Sequence, residues 1–135
     1  MREQLRILVV DDIASMRRLV TAFLHELGYR QIMQAANGTE ALSLLQKDAF
    51  DLVVTDWNMS RMSGLELLQT IRKDPDLKQL AVLLITTEAR KENIVAAAQS
   101  GANGYVVKPF TITTLGEKVE QIFMRNQNPA MTPGA

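Results

Sequence analysis

The sequence predicts an α/β fold: a three-layer, doubly wound, five-stranded parallel sheet with the strand order 2-1-3-4-5. Short apolar runs alternate with segments of helical periodicity along the chain, which is the pattern of repeated βα units. The strands are continuous apolar runs, and this indicates that helices cover both faces of the sheet. Right-handed crossovers leave few topologies, and this order makes strands 1, 3, 4 and 5 consecutive neighbours.

The first half of the chain supplies three strands and two helices. Residues 5–10 form the first strand, 31–35 a weaker second strand at the edge of the sheet, and 52–55 the third. Helix one follows the first strand, with Asp12 as its expected N-cap and Gly28 as its end. Its apolar stripe consists of Ile13, Met16, Leu19, Val20, Phe23, Leu24 and Leu27.

Capping residues mark the starts of three further helices. Asn37 opens helix two, Ser63 opens helix three and Thr111 opens helix five, whose apolar stripe packs on the sheet. The elements between the last two caps are a strand at 80–85, helix four at about 90–100, and a strand at 105–107. Together these elements make up a flavodoxin-like sheet.

Length and composition fit one domain. With 135 residues and 47% hydrophobic content, the chain is able to bury a single core. We assign 1–125 to this domain. We assign 126–135 to a disordered tail, because it is polar, contains two prolines and lacks periodicity.

Composition also excludes several classes of function. The chain has no cysteine and one histidine, which argues against disulfides and a zinc centre and leaves oxygen as the ligand type for any metal. A net charge of zero provides no field for nucleic acid or an anionic membrane. No apolar stretch has membrane-spanning length and no signal-peptide pattern is present, so we expect a cytoplasmic protein.

Polar residues follow or end four of the five predicted strands. Asp11 and Asp12 come after the first strand, Asp56 after the third, Thr86 after the fourth and Lys108 after the fifth. Ligands of open parallel sheets bind beyond the carboxyl ends of the strands, so these side chains are expected to converge there. The sequence therefore predicts a site at this edge.

The predicted site points to phosphoryl transfer. Two carboxylates about 4 Å apart repel by about 4 kcal/mol at an effective dielectric near 20, so either raised pKa values or a divalent cation must offset the charge. An all-oxygen site suits Mg²⁺, with the Asn58 carbonyl as a further ligand. Lys108 and Thr86 offer an ammonium and a hydroxyl to phosphate oxygens, and Asp56 is placed to attack phosphorus.

Several segments resemble the motifs of response-regulator receiver domains. They are VDD at 10–12, TDWNM at 55–59, Thr86 and YVVKPF at 105–110. The resemblance runs over about 5–123. Within the family, the chain is most similar to the single-domain chemotaxis regulators through SMRR at 15–18, GLELL at 64–68 and KENI at 91–94.

The resemblance implies a role for each site residue. Asp56 would accept the phosphoryl group from a histidine kinase, with Mg²⁺ held by Asp11, Asp12, Asp56 and the Asn58 carbonyl. Lys108 and Thr86 would contact the phosphoryl oxygens. Tyr105 would turn inward as Thr86 moves, and the peptide between Lys108 and Pro109 would be cis.

The same resemblance implies partners. As a stand-alone, monomeric regulator, the chain would bind an acidic segment such as that of the flagellar motor switch, and a dedicated phosphatase is a further implied partner. The expected partner surface consists of Arg90, Lys91, Tyr105 and Lys118. Two alternatives stay open: a phosphorelay shuttle receiver, and a Mg²⁺-dependent aspartyl-phosphate phosphohydrolase.

Two positions depart from the family pattern, whereas Asn58 and Glu88 match it. The usual proline after the Asp-Trp-Asn-Met motif is Ser60 here, which frees the backbone beside Asp56. The residue after Thr86 is Thr87, where the chemotaxis regulators commonly have alanine. We expect these departures to affect metal binding and the lifetime of the phosphoryl group.

Overall fold

One sheet of five parallel strands forms the middle layer of the structure, a computed structural model that describes residues 2–87 and 90–127. The strands are β1 (Arg6–Val10), β2 (Gln31–Ala35), β3 (Leu52–Asp56), β4 (Ala81–Thr86) and β5 (Gly104–Val107). Their order is β2-β1-β3-β4-β5, which confirms the predicted fold class and the position of the second strand at an edge. The helices are α1 (Ala14–Glu26), α2 (Gly38–Lys47), α3 (Gly64–Lys73), α4 (Lys91–Gln99) and α5 (Ile112–Gln127).

Alternate residues of β1 supply two apolar cores, one on each face of the sheet. Ile7 and Val9 belong to the core that includes α1 and α5, whereas Leu8 and Val10 belong to the core that includes α2, α3 and α4. All four side chains are at most 1% exposed. Because successive side chains of a strand point to opposite faces, this double burial requires three layers.

The predicted caps are present at three helices. Asn37 Oδ1 accepts a backbone N–H three residues further on at 2.8 Å, and Thr111 Oγ1 does the same at 3.1 Å. Ser63 and Glu66 form a reciprocal capping box at the start of α3. Each such cap contributes about 1 kcal/mol. Gly28, with φ of 102°, follows α1 in the left-handed conformation that glycine tolerates best, as predicted.

The start of α1 differs from the sequence prediction. Ile13 occupies the N-cap position and makes no side-chain capping bond. The buried carboxylate of Asp11 accepts the Ile13 N–H at 2.9 Å and so satisfies this amide. The prediction of Asp12 as the cap is therefore wrong, because its carboxylate is hydrogen-bonded to Ser60 instead.

Two residues of the predicted α1 stripe are exposed. Ile13 is 51% exposed and Leu19 is 41% exposed. Ile13 precedes the helix, and its extended backbone takes it off the helical face. Leu19 lies about 100° around the helix from the buried Val20, at the margin of the stripe.

Helix α5 extends to Gln127 and so includes the first two residues that we assign to the tail. Its predicted apolar stripe is buried in the core beside the sheet and consists of Leu115, Val119, Ile122 and Phe123. The rest of the tail, 128–135, lies outside the described residues, as does Glu88. Within 2–87 and 90–127, none of the helices has the length and apolar character needed to cross a membrane.

Arg72, near the end of α3, connects the segments that lead into β4 and β5. Its guanidinium donates to the Gly101 carbonyl at 2.7 and 3.1 Å, to the Leu80 carbonyl at 2.6 Å and to Asn103 Oδ1 at 2.9 Å. Burial lowers the pKa of Arg72. The guanidinium charge is thus shared among carbonyl and amide oxygens. These hydrogen bonds hold the segments just before β4 and β5 and so fix where the two strands begin.

Candidate functional site

The polar residues that follow the strands lie together at one edge of the sheet. Asp56 is the last residue of β3 and pairs in register with Ile85, one residue before Thr86. The Lys108 N–H, directly after β5, donates to the Thr86 carbonyl at 2.7 Å. Because Asp11 likewise follows β1, the carboxyl ends of the four neighbouring strands β1, β3, β4 and β5 supply one polar residue each.

Asp56 and Lys108 form an ion pair with limited access to solvent. Lys108 Nζ lies 2.6 Å from Asp56 Oδ1, and the two side chains are 16% and 4% exposed. The backbone around Asp56 is equally confined, because a Cβ at Gly64 would overlap the Asp56 carbonyl oxygen. Helix α3, which Ser63 caps, therefore begins directly against Asp56, and glycine is required at position 64.

Asp11 is a second buried carboxyl group in the site, only 3% exposed. Burial raises the pKa of Asp11 above its ordinary value, and the nearby Asp56 raises it further. The hydrogen bond from the Ile13 N–H and the charge of Lys108 act in the opposite direction. Asp11, Asp12 and Asp56 outnumber the single ammonium of Lys108 here, and a divalent cation would relieve this excess of negative charge.

The Asp12 carboxylate is hydrogen-bonded to the loop that follows β3. Its Oδ2 accepts the Ser60 N–H at 3.0 Å and the Ser60 hydroxyl at 3.2 Å. Among residues 2–87 and 90–127, no three acidic or histidine side chains are grouped closely enough to hold a metal ion. The available donors, three carboxylates with the exposed Asn58 beside them, are nevertheless the oxygen ligands that suit Mg²⁺. The residues fit this ion, provided that Asp12 leaves Ser60.

The residues expected to act as a switch lie on β4, the strand next to the one that ends at Asp56, and on β5, the strand beyond it. Thr86 ends β4 and is 3% exposed. Tyr105 pairs in register with Leu84, is half-buried, and its ring centre lies 5.7 Å from Lys118 Nζ. The structure thus brings two members of the expected partner surface, Tyr105 and Lys118, into contact.

The other two members of that surface lie at the start of α4. Arg90 is the N-cap residue and Lys91 the first residue of this helix, and both are exposed. The Lys108–Pro109 peptide is cis, as the family resemblance implies. Thr87 is exposed and lines an apolar cavity of about 360 Å³ beside Lys108.

Sequence reasoning missed two polar contacts at this edge. The buried Thr55 hydroxyl donates to the Asp56 carbonyl at 3.1 Å, and a polar residue inside an apolar strand was the available signal. The Ser60–Asp12 pair was also missed. The sequence shows that Ser60 replaces the usual proline. This replacement predicts a freer backbone, but it does not predict a hydrogen bond to a carboxylate 48 positions away.

Comparisons with known proteins agree with this fold and identify the family. The family model described as "response regulator receiver domain" matches residues 7–120. The chain belongs to the response-regulator receiver family, which confirms the resemblance. It is 51% identical over 125 residues to chemotaxis protein CheY-3 of Vibrio cholerae, covering 93% of this chain and 96% of that protein. It is 50% identical over 121 residues to chemotaxis protein CheY of Pseudomonas aeruginosa, covering 90% and 98%.

Solved structures give the same assignment. CheY4 of Vibrio cholerae superposes with a TM-score of 0.82 at 36% identity, covering 87% of this chain and 98% of that one. TrrA of Thermotoga maritima, solved in complex with Mg²⁺-BeF, superposes with a TM-score of 0.77 at 38% identity and the same coverage. The chain is thus a receiver domain of two-component signalling whose relatives include chemotaxis regulators.

Proposed function

We propose that this protein is a chemotaxis-type response regulator that a histidine kinase phosphorylates on Asp56. The observation that carries the proposal is the Asp56–Lys108 ion pair at 2.6 Å, set at the carboxyl ends of parallel strands beside the buried Asp11. Burial keeps water away from the carboxylate, and a cation stands where negative charge develops during phosphoryl transfer.

In the proposed reaction, one Asp56 carboxylate oxygen attacks phosphorus in line with the leaving histidine nitrogen. The new O–P bond forms as the P–N bond breaks, and the imidazole nitrogen takes up a proton. Lys108 and the Thr86 hydroxyl contact the transferred phosphoryl oxygens. Mg²⁺ bound by Asp11, Asp12, Asp56 and the Asn58 carbonyl would neutralise charge on the phosphoryl group.

The proposed output follows from how the site connects to β5. Lys108 follows this strand directly, and Tyr105 lies in it beside Lys118. Phosphorylation would draw Lys108 and Thr86 to the new group and turn Tyr105 inward. Arg90, Lys91, Tyr105 and Lys118 would then present a basic surface to an acidic segment, such as one of the flagellar motor switch, as the kinship with chemotaxis proteins supports.

The chemistry that we propose is directed at the protein itself. The protein would assist its own phosphorylation and slow hydrolysis, with or without a phosphatase, and would turn over no external metabolite. It would act in the cytoplasm as a monomer.

Acetyl phosphate and a beryllium fluoride mimic test this function. With Mg²⁺, the wild-type protein is expected to gain the mass of one phosphoryl group, whereas Asp56→Asn gains none. The exposed Asp48, at the end of α2, provides the matched control Asp48→Asn, which should react like the wild type. Modification that persists in Asp56→Asn would overturn the assignment.

The two alternatives give different results in related assays. Sustained release of phosphate from small phosphoesters would indicate the phosphohydrolase. Rapid transfer from the phosphorylated protein to a histidine phosphotransfer protein would indicate the phosphorelay shuttle. Retention of a motor component by the phosphorylated form alone would support the regulator.

A further inference from the structure

The contact between Ser60 and Asp12 joins the two loops on either side of the proposed metal site. Asp12 follows β1 and Ser60 follows β3, so the bonded residues are 48 positions apart. Both Ser60 donors, the backbone N–H and the hydroxyl, converge on a single oxygen, Asp12 Oδ2. We infer that Ser60 is a positioning residue that holds Asp12 away from the cation site and thereby weakens Mg²⁺ binding.

This inference rests on the proposed function, because it needs Asp12 to be a ligand. Asp11 and Asp56 are at most 4% exposed, and each already has a hydrogen-bond or ion-pair partner that fixes it: the Ile13 N–H and Lys108. Asp12, by contrast, is exposed. It is therefore the carboxylate that is best able to change position when a cation enters.

Asp12 has to leave Ser60 in order to take part. In the conformation described, residues 2–87 and 90–127 contain no group of three acidic or histidine side chains able to hold a metal. Turning Oδ2 toward Asp11 and Asp56 breaks two hydrogen bonds to a charged acceptor. Their loss is subtracted from the free energy of cation binding, so the measured affinity falls.

The residue type at position 60 determines how many hydrogen-bond donors hold Asp12 and so compete with cation binding. Any residue except proline supplies the backbone N–H, and serine or threonine adds a hydroxyl. Alanine at this position removes the hydroxyl and keeps the N–H. The substitution Ser60→Ala therefore deletes one of the two bonds with little change to the backbone.

Magnesium titration of the full chain, followed by Trp57 fluorescence and by calorimetry, tests the inference. Ser60→Ala is expected to bind Mg²⁺ about fivefold more tightly than the wild type, since one hydrogen bond is lost. Ser60→Thr retains both donors and should restore the wild-type affinity. The matched control is Ser43→Ala, because Ser43 is an exposed serine of α2; its affinity should equal that of the wild type.

The direction of the change separates positioning from a structural role. A variant with a damaged loop would bind Mg²⁺ more weakly, whereas the inferred role requires tighter binding. If the wild type binds Mg²⁺ and Ser60→Ala binds equally or more weakly, the inference is overturned and the proposed function stands. If no variant binds Mg²⁺, the wild type included, the magnesium part of the proposed function fails and the inference fails with it.

Discussion

Replacing Lys108 by methionine tests whether the ion pair with Asp56 dominates the electrostatics of the site. The two charged atoms are 2.6 Å apart, and the side chains are 16% and 4% exposed. At an effective dielectric near 20, their attraction is about 6 kcal/mol before the cost of desolvation. Removing one partner of a buried pair leaves the other charge uncompensated, so Lys108→Met should lower the free energy of unfolding by about 3 kcal/mol at neutral pH.

Urea denaturation in metal-free buffer measures this loss. With an m-value of about 1.5 kcal/mol/M, the midpoint should fall by about 2 M. In an Asp56→Asn background, the same substitution should cost less than about 1 kcal/mol, because no carboxylate is left unpaired. Lys78→Met, at an exposed lysine before β4, is the control and should change stability by less than about 0.5 kcal/mol.

An equal loss of stability in both backgrounds would refute the electrostatic argument. Lys108 would then act through packing of its alkyl chain, which lies beside the apolar cavity that Thr87 and Phe110 help to line. A loss confined to the background that keeps the carboxylate supports the ion pair as the source of the effect.

Three further predictions concern pH, packing and the partner surface. Folding raises the pKa of Asp11 above 3.8, so the folded state binds the carboxyl proton more tightly than the unfolded state does. The stabilisation from this proton is complete at pH values below the unfolded-state pKa and is lost as the pH rises through the folded-state pKa. In metal-free buffer, wild-type stability should therefore fall relative to Asp11→Asn as the pH rises above 3.8, and a constant difference between their urea midpoints would contradict this. Arg72→Met should lower the free energy of unfolding by about 2–3 kcal/mol, measured by urea denaturation, because partly buried carbonyls lose a charged donor. An unchanged midpoint would show that these hydrogen bonds do not stabilise the fold. Lys118→Glu should weaken the binding of an acidic partner peptide about tenfold, measured by calorimetry. Lys47→Glu on α2 is the control and should leave the affinity unchanged. Equal affinities in the two variants would show that Lys118 is not part of the partner surface.

The strand order and the position of the site were accessible from the sequence because both depend on local patterns. Continuous apolar runs with a polar residue at or after the carboxyl end identify parallel strands, and the ends of adjacent parallel strands meet at one edge. The caps at Asn37, Ser63 and Thr111 were accessible for the same reason, since a capping side chain bonds to an amide three residues away.

Contacts between distant segments were not accessible in this way. Arg72 bonds to carbonyls 8 and 29 positions away, and its pattern in the sequence is that of an ordinary helix-terminal arginine. Asp12 has the sequence context of an N-cap, yet its carboxylate accepts hydrogen bonds from Ser60, 48 positions away. In each case a tertiary partner outcompetes the local interaction that the sequence suggests.

A short path made of one ion pair and three residues of backbone links the proposed reaction centre to the proposed partner surface. Asp56 contacts Lys108, whose own N–H is bonded to the Thr86 carbonyl, and Lys108 is three residues from Tyr105 along β5. Because the backbone along this path is held by the sheet, a new charge at Asp56 has to act mainly by moving side chains. The Tyr105 ring, half-buried against Lys118, is the part of the path with room to adopt a second arrangement. Coupling by this route therefore requires two ring positions of Tyr105, and their ratio should change when Asp56 is phosphorylated.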